Sequence, residues 1–134
     1  MQTFYGIWVD HAHAFIVKTN KLADMEIDEM KSAVEPHHQG GLHGDERLSM
    51  SDQRSHDENR KHQMKAFAKE LIKRVEHGDE IVIFGPGTAK HEVKHEFEKN
   101  KSVAAKLKGV ETTDKLAEHE LKAFVKEYFK LPRD

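Results

Sequence analysis

The sequence predicts an α/β domain with a mixed five-stranded sheet and packed helices, in the element order β-β-β-α-β-α-β-α. The N-terminal segment is rich in β-branched and aromatic residues, which are typical of strands. A long central segment then carries apolar residues every three or four positions, as an amphipathic helix does. The rest of the chain alternates short apolar runs with amphipathic segments, which indicates strand–helix units joined by right-handed crossovers.

The predicted strands are short runs bounded by turn residues, and the predicted helices have an apolar period of about 3.6 residues. Strands are predicted over residues 3–9, 12–18, 25–34, 80–84 and 109–113, and helices over residues 56–77, 89–107 and 117–129. In the third strand Met25 and Ile27 have one parity and Met30 has the other, so we expect a β-bulge between Ile27 and Met30. The second helix is expected to break near Asn100.

Residues 35–55 interrupt every periodicity in the chain. The segment contains one Pro, three Gly and few apolar residues. Few side chains are there to offset the entropy of ordering, so we predict a flexible loop within one domain that spans residues 1–134.

Composition narrows the class of protein. The chain has 134 residues, no Cys and a formal net charge of −2. Disulfides and cysteine nucleophiles are therefore excluded, and no overall positive field indicates a nucleic-acid partner; DNA binding is not expected. Without a basic leader or a long apolar run, we expect a cytoplasmic protein that has no membrane partner.

The predicted element order is that of the ribonuclease-H-like fold, and four stretches of sequence carry a closer resemblance. These are residues 6–11 (Gly-Ile-Trp-Val-Asp-His), 14–17 (Ala-Phe-Ile-Val), 81–90 (Ile-Val-Ile-Phe-Gly-Pro-Gly-Thr-Ala-Lys) and 110–115 (Val-Glu-Thr-Thr-Asp-Lys). With the polar loop and basic helix between them, the chain resembles the middle domain of archaeal and eukaryotic peptide-chain release factors and of Pelota. It looks like a stand-alone bacterial offshoot of that group.

The resemblance implies a translation-associated domain that binds the ribosome or RNA, either tRNA or rRNA. In release factors a Gly-Gly-Gln tip on the corresponding loop promotes hydrolysis of peptidyl-tRNA. Here the order is Gln39, Gly40, Gly41, so the glutamine precedes the glycines. We therefore expect a binding domain without catalysis, and peptidyl-tRNA hydrolysis through Gln39 remains the alternative.

A row of basic residues follows this loop on the predicted long helix. Lys61, Lys65, Lys69 and Lys73 recur every four positions, and Arg60 and Arg74 flank them. Such a row can follow a phosphate backbone without reading bases. A solvated helix face is the alternative interpretation.

Histidines provide the candidate metal ligands. His91, Glu92 and His95 match the H-E-x-x-H pattern, in which two histidines bind zinc and the glutamate is the general base. The three loop histidines His37, His38 and His43 are a second candidate. No third ligand follows His95 at a metalloprotease spacing, so we predict no zinc site and no cofactor, and a zinc hydrolase is the second enzymatic alternative.

The turn before the second predicted helix is a candidate anion site. Gly85, Gly87 and Thr88 precede free helix amides, and Lys90 adds positive charge. A tight strand–helix turn that requires glycine explains the same residues. Asp10, at the end of the first strand, is interpreted as stabilising its own turn. The chain as a whole permits a homo-oligomer.

Overall fold

The computed structural model describes residues 2–20, 25–32 and 50–131, with the side chains of the first helix described from Glu58 onward. Nine elements follow one another along the chain. They are β1 (Thr3–Val9), β2 (His13–Asn20), β3 (Met25–Lys31), α1 (Met50–Val75), β4 (Glu80–Gly85), α2 (Ala89–Lys99), α3 (Lys101–Ala104), β5 (Leu107–Thr112) and α4 (Glu118–Tyr128). The predicted α/β class and mixed five-stranded sheet are confirmed.

The sheet has the strand order β3-β2-β1-β4-β5. Strands β1, β2 and β3 pair antiparallel, whereas β4 runs parallel to both β1 and β5. This arrangement leaves β3 and β5 as the two edge strands among the described residues. In β5 the register skips Lys108, because Ile81 pairs with Leu107 and Val82 pairs with Gly109.

Helices cover both faces of the sheet. On one face α1, α2 and α3 bury a core that includes Ile7, Ile83 and Phe97. On the other face α4 buries a smaller core around Trp8 and Phe84. Strands buried on both faces read as continuous apolar runs, which explains the sequence of β1 and β4.

The expected β-bulge in the third strand is wrong. The pairing of β2 with β3 is continuous from Met25 to Lys31. Met30 is buried in the core under α1 and α2, while Met25 and Ile27 pack against the core under α4. Residues of opposite parity face opposite sides of a strand, and each side has its own core, so no bulge is needed.

The long helix begins earlier than predicted. It starts at Met50 rather than at residue 56, so the last six residues of the segment predicted as a loop are helical. The sequence of these six residues, Met-Ser-Asp-Gln-Arg-Ser, contains a single apolar residue, so it offers no apolar period from which a helix could be predicted. The remainder of the predicted loop lies outside the described residues.

The second predicted helix divides at Asn100, as expected. The Asn100 side chain accepts a hydrogen bond from the backbone N–H of Ser102 at 2.9 Å and caps α3. Strand β5 then begins at Leu107, two residues before the predicted start. No helix among the described residues is long and apolar enough to cross a membrane.

Candidate nucleic-acid interface

Four lysines lie exposed on α1, outside its buried apolar stripe. The apolar stripe predicted for this helix is buried, and it comprises Met64, Phe67, Ala68, Leu71, Ile72 and Val75. Lys61, Lys65, Lys69 and Lys73 are all exposed. Within the described part of the chain, none of the four forms an ion pair. Their charges are therefore available to a partner.

The row winds around the helix rather than running straight along it. A step of four residues turns the helix by about 400°, so each lysine is displaced by about 40° from the one before. Lys61 and Lys65 consequently line a groove between α1 and α2. Lys69 and Lys73 lie farther round, on the outer surface of α1.

The two arginines are placed differently from the lysines. The Arg74 guanidinium is 3.6 Å from the Glu70 carboxylate in an i,i+4 pair. Arg60 is half-buried, and its Nε is buried without a hydrogen-bond partner. Residues adjacent in sequence differ by about 100° around a helix, so both arginines lie away from the neighbouring lysines. The four lysines thus form the surface that we call the lysine row.

The groove between α1 and α2 has a volume of about 640 Å³. The two carboxylates that line this groove are each within ion-pair distance of a basic side chain. The Glu92 carboxylate is 2.6 Å from His11 Nε2, and the Glu96 carboxylate is 3.5 Å from Lys99 Nζ. Lys61 and Lys65, on the opposite wall, have no ion-pair partner among the described residues.

The contact between His11 and Glu92 was not predicted from the sequence. The two residues are 81 positions apart, and the parallel pairing of β1 with β4 brings the β1–β2 turn beside α2. Because Glu92 is the proposed general base of the H-E-x-x-H pattern, this contact engages the group that a zinc hydrolase would need.

His91 and His95 are exposed on α2 and line the groove. Val93 and Phe97, on the opposite side of the helix, are 0% exposed and pack in the core, as predicted. Among the described residues no three His, Asp or Glu side chains converge as metal ligands. His37, His38 and His43 lie outside the described residues, as do Gln39, Gly40 and Gly41.

We expect the purified protein to carry no stoichiometric zinc at His91 and His95. Two imidazoles on one helix leave a tetrahedral ion short of protein ligands, and Glu92 is already held by His11. Elemental analysis of the purified protein and of its His95→Ala variant measures this. One equivalent of zinc that is lost in the variant would contradict the prediction.

Lys90, two residues after the strand–helix turn at residues 85–88, is buried. Gly85 and Gly87 have φ of 148° and 62°, and a Cβ at Gly85 would lie 2.3 Å from the Val9 carbonyl oxygen. Lys90 is 3% exposed, and its ammonium donates to the Gly87 carbonyl. Thr88 occupies the cap position without a side-chain hydrogen bond. The glycines therefore serve the turn, and the Lys90 charge is directed at the protein's own backbone rather than at an external anion.

Asp10 stabilises the β1–β2 turn, in agreement with its interpretation from the sequence. One carboxylate oxygen accepts hydrogen bonds at 2.8 Å from the backbone N–H groups of Ala12 and His13. This is the local pattern by which aspartate fixes a turn. Nothing in this arrangement requires a metal ion.

No protein-family model and no curated protein matches the chain. Solved structures do. The archaeal translation termination factor aRF1 matches 96% of the chain at 16% identity with a TM-score of 0.56, and Archaeoglobus fulgidus Pelota matches 93% at 12% identity with a TM-score of 0.55. A structure described as an archaeal protein matches 96% at 20% identity with a TM-score of 0.55.

These matches extend over nearly all of this chain but only part of each neighbour. The chain spans 40%, 31% and 34% of the three proteins in the order given. At such low identity the likeness concerns the fold. The chain therefore has the fold of a single domain within an archaeal termination factor and Pelota.

Proposed function

We propose that this chain is an RNA-binding domain that acts in translation by contacting the ribosome, through rRNA or a bound tRNA. The observation that carries the proposal is the lysine row on α1, whose four side chains are exposed and form no ion pair among the described residues. The likeness in fold to a translation termination factor and to Pelota supports the translational setting.

The geometry of the row suits a phosphate backbone. A step of four residues advances about 6 Å along a helix, so the row extends over about 18 Å. Ammonium groups at this spacing neutralise successive phosphates but do not distinguish bases. The buried apolar stripe anchors α1 to the core, so the backbone positions of the four lysines are fixed relative to one another. The contact is therefore expected to select nucleic acid by charge and shape rather than by sequence.

We further propose that the role is binding rather than catalysis. The order Gly-Gly-Gln occurs nowhere in the chain, and Gln39 precedes Gly40 and Gly41. In the groove that contains His91 and His95, no three described His, Asp or Glu side chains converge as metal ligands. Neither enzymatic alternative is favoured by a specific observation.

Co-sedimentation of the intact protein with purified ribosomes at about 50 and 200 mM salt tests the proposal. Four phosphate contacts correspond to a slope of about −2.8 to −3.6 in log affinity against log salt, hence a 50- to 150-fold loss of affinity between these concentrations. Absence of binding at the lower salt concentration, or binding that is indifferent to salt, would refute the proposal.

A peptidyl-tRNA hydrolysis assay separates the binding domain from the enzyme. We expect no peptide release above background from the protein with ribosomes, and no difference for a Gln39→Ala variant. The reason is that the glycines adjoining Gln39 lie on its C-terminal side, where they cannot place the amide as a Gly-Gly-Gln tip does. Release that depends on Gln39 would replace the binding proposal by the enzymatic one.

A further inference from the structure

A second groove lies on the face of the sheet opposite α1, between the edge strand β5 and α4. Its volume is about 590 Å³. Leu116, Phe124 and Tyr128 supply its apolar surface, and all three are only partly buried. An aromatic groove that remains accessible beside an edge strand is a common setting for recognition of extended peptides.

The aromatic side chains are held in place by the fold. The Phe124 ring stacks on the buried Phe84 ring with centroids 4.1 Å apart, and Tyr128 continues the stack at 6.0 Å. Gly109 makes room for Tyr128, because a Cβ there would lie 2.2 Å from the Tyr128 hydroxyl. The surface is therefore preorganised, which lowers the entropic cost of binding.

The rim of this groove is acidic. Glu111, Glu120 and Glu127 line it, and none of its described lining residues is Lys or Arg. On α4 the residues Glu120, Phe124 and Glu127 fall on one side of the helix by their spacing of four and three. Lys122 and Lys126 lie on the other side of α4. Around the helix axis, Lys122 is about 160° from Glu120, and Lys126 is about 100° from Glu127.

Of the rim carboxylates, Glu111 lies close enough to Tyr128 to affect its titration. The pKa of Tyr128 is raised above 10.0, first by burial and then by the negative charges of Glu111 and Glu80. The same negative potential over aromatic rings attracts cations, and Arg or Lys gains further from contact with an aromatic face. The chemistry of the groove thus favours a basic side chain next to an apolar one.

We propose that the groove between β5 and α4 docks an extended peptide segment of a protein partner, rich in arginine or lysine alternating with apolar residues. Basic side chains meet the acidic rim and the faces of Phe124 and Tyr128, and apolar side chains fill the space over Leu116. Side chains of one parity enter the groove when such a segment lies along the outer edge of β5. The surface is distinct from the lysine row, and the proposal does not depend on RNA binding.

The electrostatic coupling in the groove has its own test. We expect Glu111→Gln to lower the alkaline midpoint of the Tyr128 phenolate absorbance, with Tyr128→Phe identifying the transition. Because the folded-state pKa lies above 10.0, the stability linked to Tyr128 is present below that pH and is lost as the pH rises through the folded-state value. An unchanged midpoint would show that Glu111 is too distant to act.

The docking proposal is tested with a fluorescein-labelled nine-residue peptide of alternating Arg and Leu, and with a counterpart that carries Glu in place of Arg. We expect the basic peptide to bind, as shown by a rise in its fluorescence anisotropy and by amide NMR shifts confined to β5 and α4. The acidic peptide should not bind. Replacing Glu111 and Glu127 by Lys should weaken binding at least tenfold. The matched control is Glu26→Lys with Glu98→Lys, two exposed acids outside the groove, and should bind as the parent does.

Three results would overturn the proposal. The first is absence of binding by the parent protein, and the second is equal binding by the Glu111 and Glu127 variant. The third is self-association in sedimentation velocity that this variant abolishes, since it would make a second copy the occupant. If the charge variant does not fold, a Phe124→Leu variant provides an independent test. It keeps the apolar contact with Phe84 but removes the aromatic face, and it should bind the basic peptide less tightly.

Discussion

Replacing Lys65 and Lys69 by Glu is expected to abolish co-sedimentation with ribosomes. The substitution removes two of the four ammonium groups of the lysine row and places two negative charges in the middle of it. Loss of two phosphate contacts lowers the slope in log salt by about 1.4 to 1.8, and the added carboxylates repel the same backbone. Affinity at about 50 mM salt should therefore fall below detection.

The fold should survive this change, because both side chains are exposed and neither has an ion-pair partner among the described residues. Circular dichroism and thermal unfolding of the variant check that point. The matched control is Lys101→Glu with Lys115→Glu, which gives the same change in net charge at two exposed lysines outside α1. If both double variants lose binding equally, net charge rather than the row is responsible. If neither does, the lysine row is only a solvated face.

Replacing Phe97 by Ala is expected to cost about 3 to 5 kcal/mol in the free energy of unfolding. Phe97 is 0% exposed and lies in the core that joins α2 to the sheet. Truncation removes the apolar contacts and leaves a cavity that packed neighbours cannot close. Urea denaturation measures the loss as a lower midpoint at an unchanged slope.

Phe124→Ala is the comparison for this prediction. The Phe124 ring stacks on Phe84 but is partly exposed, so a smaller loss of about 1 to 2 kcal/mol is expected. A loss below about 1 kcal/mol for Phe97→Ala would mean that α2 is not anchored by this residue.

Most of the element order was predictable, because most elements show a recognisable residue pattern within their own segment of the sequence. The β-branched and aromatic residues of β1 and β2, the continuous apolar run of β4 and the apolar stripe of α1 each lie within one segment. Gly85 and Gly87 marked a turn whose positive φ values only glycine adopts readily. The four lysines were equally visible in the sequence, because their spacing of four residues is itself a helical spacing.

Two features required the tertiary arrangement. The change of parity in β3 looked like a bulge, because a strand with a single buried face needs apolar residues of one parity. Only the presence of helices on both faces explains why Met30 and Ile27 point to different cores. The N-terminal part of α1 escaped prediction for the opposite reason, since it lacks the apolar stripe by which helices are recognised in sequence.

The sequence by itself determined the α/β class, the strand–helix order and the presence of a basic row on a helix that has a buried apolar stripe, because each of these follows from local periodicity and residue type. The tertiary structure decided what those residues face. It joined His11 to Glu92 across 81 positions and set Glu111 beside the aromatic side of α4. These contacts depend on strand order and helix placement, which the burial of two separate cores fixes and no local pattern encodes.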